Sequence, residues 1–72
     1  MKIVNKVKQY RKAARMTQSQ LAERAGVSRQ TISDIETGKH DPTISVALLL
    51  ARALGVKVDN LFKLINYSGD IG

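Results

Sequence analysis

Seventy-two residues leave room for one hydrophobic core, and an apolar content of 43% is enough to build it. The absence of cysteine excludes disulfide staples and thiolate metal sites, and the longest apolar run, Val46 to Ala51, is far too short to span a bilayer. The net charge of +6 favours a polyanionic partner, and the excess lies in the first forty residues, which hold nine Lys and Arg against Glu23, Asp34 and Glu36.

In chain order, helical spacing dominates and an all-α five-helix bundle is expected, with helices over about 3–14, 18–25, 29–37, 44–54 and 58–65. In the first, Val4, Val7, Tyr10 and Ala14 share a face, and Lys6, Lys8, Lys12 and Arg15 occupy much of the rest. Thr17 opens a capping box, Thr-Gln-Ser-Gln, for a short second helix whose inner face is Leu21, Ala22 and Ala25. Gly26 stands where a left-handed residue ends that helix. Ser28 then caps a third helix with Ile32 and Ile35 inward, and Gly38 closes it. Asp41-Pro42-Thr43 stops and restarts the chain before a fourth helix with the stripe Ile44, Ala47, Leu50, Ala51 and Leu54, closed by Gly55. Val58, Leu61, Phe62 and Ile65 give the fifth. Residues 67–72 are polar and glycine-containing, and are expected to form a short flexible tail.

The second and third helices carry the specific signal. Two short helices crossing steeply over a tight turn touch at one point, where a side chain as small as Ala22 is needed. The turn between them needs a residue at positive φ, which glycine supplies at Gly26. Leu21, Ala25, Val27, Ile32 and Ile35 complete the inner faces at matching intervals. Arg11, "MTQSQLAERAGVSRQTISDIETGK", Pro42 and "ALGVKVDNLF" together resemble a helix-turn-helix domain of the Cro and phage-repressor type, the xenobiotic-response-element family, over roughly residues 5 to 65. The resemblance implies a five-helix domain that binds double-stranded operator DNA as a dimer, with the third helix in the major groove.

The first turn of the third helix presents Arg29, Gln30 and Thr31. In a major groove Arg suits guanine O6 and N7, and Gln suits adenine N6 and N7. The positions of Arg29, Gln30, Ser33 and Asp34 match the family's usual base readers. Asp34 is also open to accepting from a cytosine amine, to repelling misplaced phosphates and to orienting Arg29. By resemblance Gln18 holds the DNA backbone, helped by the positive end of the second helix. Ser28, Thr31, Lys39 and His40 are further phosphate candidates. Arg15 stands where the family often has glycine, so it carries backbone strain there or serves DNA. Lys57 stands where a capping serine is frequent. The resemblance also implies a structural pair between Arg11 and Glu36, linking the first and third helices, with contact to a phosphate the alternative for Arg11.

Leu48, Leu49 and Leu64 add apolar surface beyond the inner stripes and are candidates for a two-fold interface, with closure of the core as the alternative. No catalytic set, phosphate loop or metal cluster is legible, and His40 is the only histidine, so no enzyme, metal or cofactor is expected. A cytoplasmic, nucleoid-associated transcriptional regulator, most simply a repressor, is the reading that follows. Two others stay open: an antitoxin or adaptor-type module that binds protein, and the DNA-binding part of a longer regulator that senses a ligand through another domain.

Overall fold

The computed structural model describes residues 2–65, which form five helices and two strands. In chain order these are β1 (Lys2–Asn5), α1 (Val7–Ala13), α2 (Gln18–Ala25), α3 (Arg29–Glu36), α4 (Ile44–Leu54), α5 (Val58–Leu61) and β2 (Phe62–Ile65). The tail expected over residues 67–72 lies outside the described residues.

The three middle helices begin where their caps stand. The Thr17 hydroxyl accepts from the Gln20 amide at 3.1 Å while the Gln20 side chain accepts from the Thr17 amide at 2.8 Å, so the capping box is reciprocal. Ser28 Oγ accepts from the Thr31 amide at 3.1 Å, and Thr43 Oγ1 from the Val46 amide at 3.2 Å. Gly26 takes φ +78°, and the chain turns there because the amides of Gly26 and Val27 both reach back to the Ala22 carbonyl.

The ends of the chain correct the expected all-α architecture. The helix expected from residue 3 starts at Val7, and the one expected to run to residue 65 stops at Leu61. The displaced residues form a two-stranded antiparallel sheet, with Lys2 opposite Ile65, Ile3 opposite Leu64, Val4 opposite Lys63 and Asn5 opposite Phe62. Asn5 explains the first change. Its Oδ1 accepts from the Val7 amide at 3.1 Å, starting α1 late, and its Nδ2 donates to the Ile35 carbonyl at 2.9 Å, pinning the strand to α3. At the other end Lys57 has no short side-chain oxygen with which to cap α5, and the Lys6 amide takes the Leu61 carbonyl at 2.8 Å, which closes the sheet at its root.

The core is Val7, Leu21, Ala22, Ala25, Ile32, Ile35, Leu50, Ala51 and Leu61. Leu21, Ile32, Leu50 and Leu61 are fully buried, each burial being worth about 1.5–3 kcal/mol. Three residues of the expected helical faces are not inside. Ala14 is exposed, Ile65 is exposed on β2, and Ile44 is 81% exposed because it occupies the first position of α4, ahead of the turn that reaches the core. Leu49, a candidate for the two-fold interface, packs half-buried against the core, whereas Leu48 and Leu64 are 55% and 64% exposed.

Candidate nucleic-acid interface

The α2–turn–α3 unit presents one continuous polar surface. Ile32 and Ile35 turn one side of α3 inward, which directs Arg29, Gln30, Ser33 and Asp34 to the opposite side. Arg29 and Gln30 are exposed, and Ser33 and Asp34 are half-buried. Ser28 and Thr31 face each other through their hydroxyls at 2.8 Å beside the start of the helix.

A chain of polar contacts connects this surface to the interior. Arg11 grips Glu36 with two bonds, Nε to Oε2 at 2.7 Å and Nη2 to Oε1 at 3.1 Å, and its Nη1 donates to the Met16 carbonyl at 2.8 Å. The pair is nearly dry, the side chains being 9% and 3% exposed. Gln18 Nε2 then donates to Glu36 Oε1 at 3.0 Å, and Gln18 Oε1 accepts from Arg29 Nη1 at 3.1 Å. Arg29 is therefore connected through Gln18 to a buried ion pair that joins α1 to α3.

The electrostatics follow from this chain. Burial alone would raise the Glu36 carboxyl, but hydrogen bonds from Arg11 and Gln18 and the charges of Arg11 and Lys8 outweigh it and hold the group below the ordinary carboxylate range. The hydrogen bond to Glu36 raises Arg11 further, against the opposing effect of burial. Asp34 is lowered chiefly by the hydrogen bond from Gln30, with smaller contributions from His40 and Lys39.

The remaining residues divide between two places. Lys39 and His40 are exposed in the loop after α3, and their amides both donate to the Asp34 carbonyl, at 2.8 and 3.3 Å, so the loop folds back on the helix. Arg15 goes elsewhere. It lines an open hollow with Ala14, Met16, Gln20, Glu23 and Arg24, on the side of α2 turned away from Gln18, and so does not join the Gln18–Arg29 surface. Lys8 is not among the site residues expected from the sequence, yet its charge acts on Glu36. Its position one helical turn before Arg11 on the same face is the signal that would have found it.

With this geometry in hand, the comparison with known proteins is direct. The family model described as helix-turn-helix matches residues 7–61. The chain belongs to the helix-turn-helix family. Within it, the chain is similar to an uncharacterized HTH-type transcriptional regulator of Methanocaldococcus jannaschii, 48% identical over 58 residues that make up 81% of this chain and 88% of the relative. Two helix-turn-helix structures solved with DNA are also similar. SinR, the master regulator for biofilm formation, in complex with DNA matches with a TM-score of 0.71 at 37% identity, over 74% of this chain and 86% of that one. The P22 c2 repressor with a synthetic operator matches with a TM-score of 0.72 at 30% identity, over 75% of this chain and 82% of that one. The fold is thus the repressor-like helix-turn-helix, five helices with a two-stranded sheet formed by Lys2–Asn5 and Phe62–Ile65.

Proposed function

We propose that the protein is a sequence-specific transcriptional regulator that binds double-stranded operator DNA, acting as a repressor by occupying the operator. The observation that carries this reading is the outward first turn of α3, where Arg29 and Gln30 stand together over a Ser28-capped helix start in a basic helix-turn-helix chain. That the SinR and P22 c2 structures hold DNA supports it.

In this reading α3 lies in the major groove, and Arg29, Gln30 and Ser33 meet base edges. Each bidentate contact is worth about 1–3 kcal/mol of discrimination. Gln18 takes a backbone phosphate with the N–H groups at the start of α2, and its bond to Arg29 keeps that side chain aimed into the groove. Ser28, Thr31, Lys39, His40 and Lys8 line the path of the phosphates, while the Arg11–Glu36 pair holds α3 at its angle. Two copies related by a two-fold axis read half-sites about 34 Å apart, which roughly doubles the discriminating contacts.

The reading divides side chains into readers and anchors, and fluorescence anisotropy with cognate and random duplexes tests the division. Arg29→Ala and Gln30→Ala should lower affinity for the operator by about tenfold or more while leaving random-duplex binding nearly unchanged. Lys39→Ala should weaken both and reduce the salt slope by about one. Equal losses from all three variants on every duplex would refute the assignment.

A further inference from the structure

Gln30 is not a free side chain. Its Nε2 donates to Asp34 Oδ1 at 2.9 Å, one helical turn further on. The other carboxylate oxygen, Oδ2, faces His40 Nδ1 at 3.3 Å. The Asp34 main-chain carbonyl meanwhile accepts from the amides of Lys39 and His40 and, at 3.3 Å, from the Thr37 hydroxyl. The loop after α3 therefore closes over Asp34, whose side chain is 18% exposed against 68% for His40.

An ionised carboxylate accepts hydrogen bonds and cannot donate them, so the end of the Gln30 amide that faces it must be the nitrogen. The reversed amide would set two oxygens against each other. Asp34 thus fixes which way round Gln30 presents its donor and its acceptor. Bidentate pairing with adenine uses the amide oxygen and one N–H. The second N–H remains for Asp34, so holding Gln30 and reading a base are compatible. Asp34 itself has both oxygens engaged. Each oxygen keeps a lone pair, but accepting from a cytosine amine would carry the Asp34 charge further among the phosphates.

We propose that Asp34 is a positioning residue that reads no base itself but sets the donor–acceptor polarity with which Gln30 reads one, with His40 securing its second oxygen. The inference rests on the reading of α3 as the base-reading helix and of Gln30 as one of its readers.

The test uses an operator chosen from random duplexes, with affinities measured for every single base-pair change in the half-site. The proteins are wild type, Gln30→Ala, Asp34→Ala, Asp34→Asn and the double variant Gln30→Ala/Asp34→Ala. Removing the Asp34 charge raises affinity for all duplexes by a common factor, so only ratios between duplexes report positioning. Asp34→Ala and the nearly isosteric Asp34→Asn, whose amide can face Gln30 with either end, should each lose about threefold to tenfold of the preference at the base pair that Gln30→Ala affects. Other base pairs should be unaltered, and the double variant should match Gln30→Ala, because two residues acting as one unit are not additive. His40→Ala should reduce the same preference by a smaller factor. A change of preference at a base pair that Gln30→Ala leaves alone, or additive losses in the double variant, would overturn the positioning role and make Asp34 a reader. Should Gln30→Ala itself leave the profile intact, both this inference and the assignment of Gln30 fail, and Arg29→Ala decides separately whether α3 reads DNA. If Asp34→Ala melts much earlier than wild type, Asp34→Asn, which keeps the volume, decides the outcome.

Discussion

Arg15 shows how one residue can be strained by its place in the chain. It takes φ +60°, the only non-glycine residue at positive φ among those described, and its amide donates to the Lys12 carbonyl at 2.9 Å to make the turn between α1 and α2. A left-handed conformation costs a residue with a Cβ about 1–2 kcal/mol. Glycine removes that cost but adds roughly 0.5–1 kcal/mol of backbone entropy to the unfolded chain. Arg15→Gly should therefore raise stability by about 0.5–1 kcal/mol, seen as a higher urea midpoint at unchanged slope. Because Arg15 faces the hollow with Gln20, Glu23 and Arg24 rather than Gln18, the same variant should disturb operator affinity less than Lys39→Ala does. A lower midpoint would mean that the side chain contributes more within that hollow than its backbone costs. The strain itself was legible in the sequence, from a non-glycine residue at a helix end that turns sharply. The direction of the side chain was not, because a single residue at positive φ can aim either way until the next helix is packed.

At the level of elements, the Arg11–Glu36 pair joins α1 to α3, and its protonation sets an acid limit. The folded Glu36 carboxyl is held below its ordinary value, so the sign is that of a depressed acid: the stabilisation is complete above the unfolded pKa of about 4.3 and is lost as pH falls through the lower folded value. Thermal melts should accordingly show wild type weakening below about pH 4.5. Glu36→Gln should flatten that acid limb, and at pH 7 it should be less stable by about 3 kcal/mol, since the Arg11 charge is left buried beside a neutral amide. An acid limb of unchanged steepness in Glu36→Gln would place the titration elsewhere.

The same elements show what a sequence can and cannot reveal. The starts of α2, α3 and α4 were readable because Thr17, Ser28 and Thr43 each bond to an amide three residues away, a local event. The two strands were not. Val58, Leu61, Phe62 and Ile65 have helical spacing, yet only Leu61 of the four is buried, and the pairing that extends Phe62–Ile65 comes from residues at the opposite end of the chain. Periodicity over so few residues does not separate a final helical turn from a short strand. Among the surface residues, Arg29 and Gln30 were identifiable by chemical type and position. The bonds Arg29–Gln18 and Gln30–Asp34 depend on how α2 and α3 cross and on side-chain rotamers.

For the whole molecule, the question is how two reading helices come to act together. The net charge of +6, concentrated before residue 41, supplies attraction to any duplex but no register between half-sites. In the proposed reading, register requires a second copy held at a defined distance, and the apolar side chains left outside the core are the candidates for holding it. Leu64 is 64% exposed on β2 directly opposite Ile3, and Leu48 is 55% exposed on α4. Leu64→Glu places a charge on that surface without touching the core, so the melting of the monomer should change by no more than about 0.5 kcal/mol. If the surface pairs two copies, sedimentation equilibrium should show the wild type shifting from monomer to dimer with concentration, and Leu64→Glu remaining monomeric over the same range. Affinity for a two-half-site operator should then fall at least tenfold, while affinity for a duplex with a single half-site stays within about twofold, because α3 and its anchors are intact. Equal losses on both duplexes would show that Leu64 supports the reading surface itself. An unaltered dimer would move the two-fold axis away from β2 and leave Leu48, on α4, as the position to substitute.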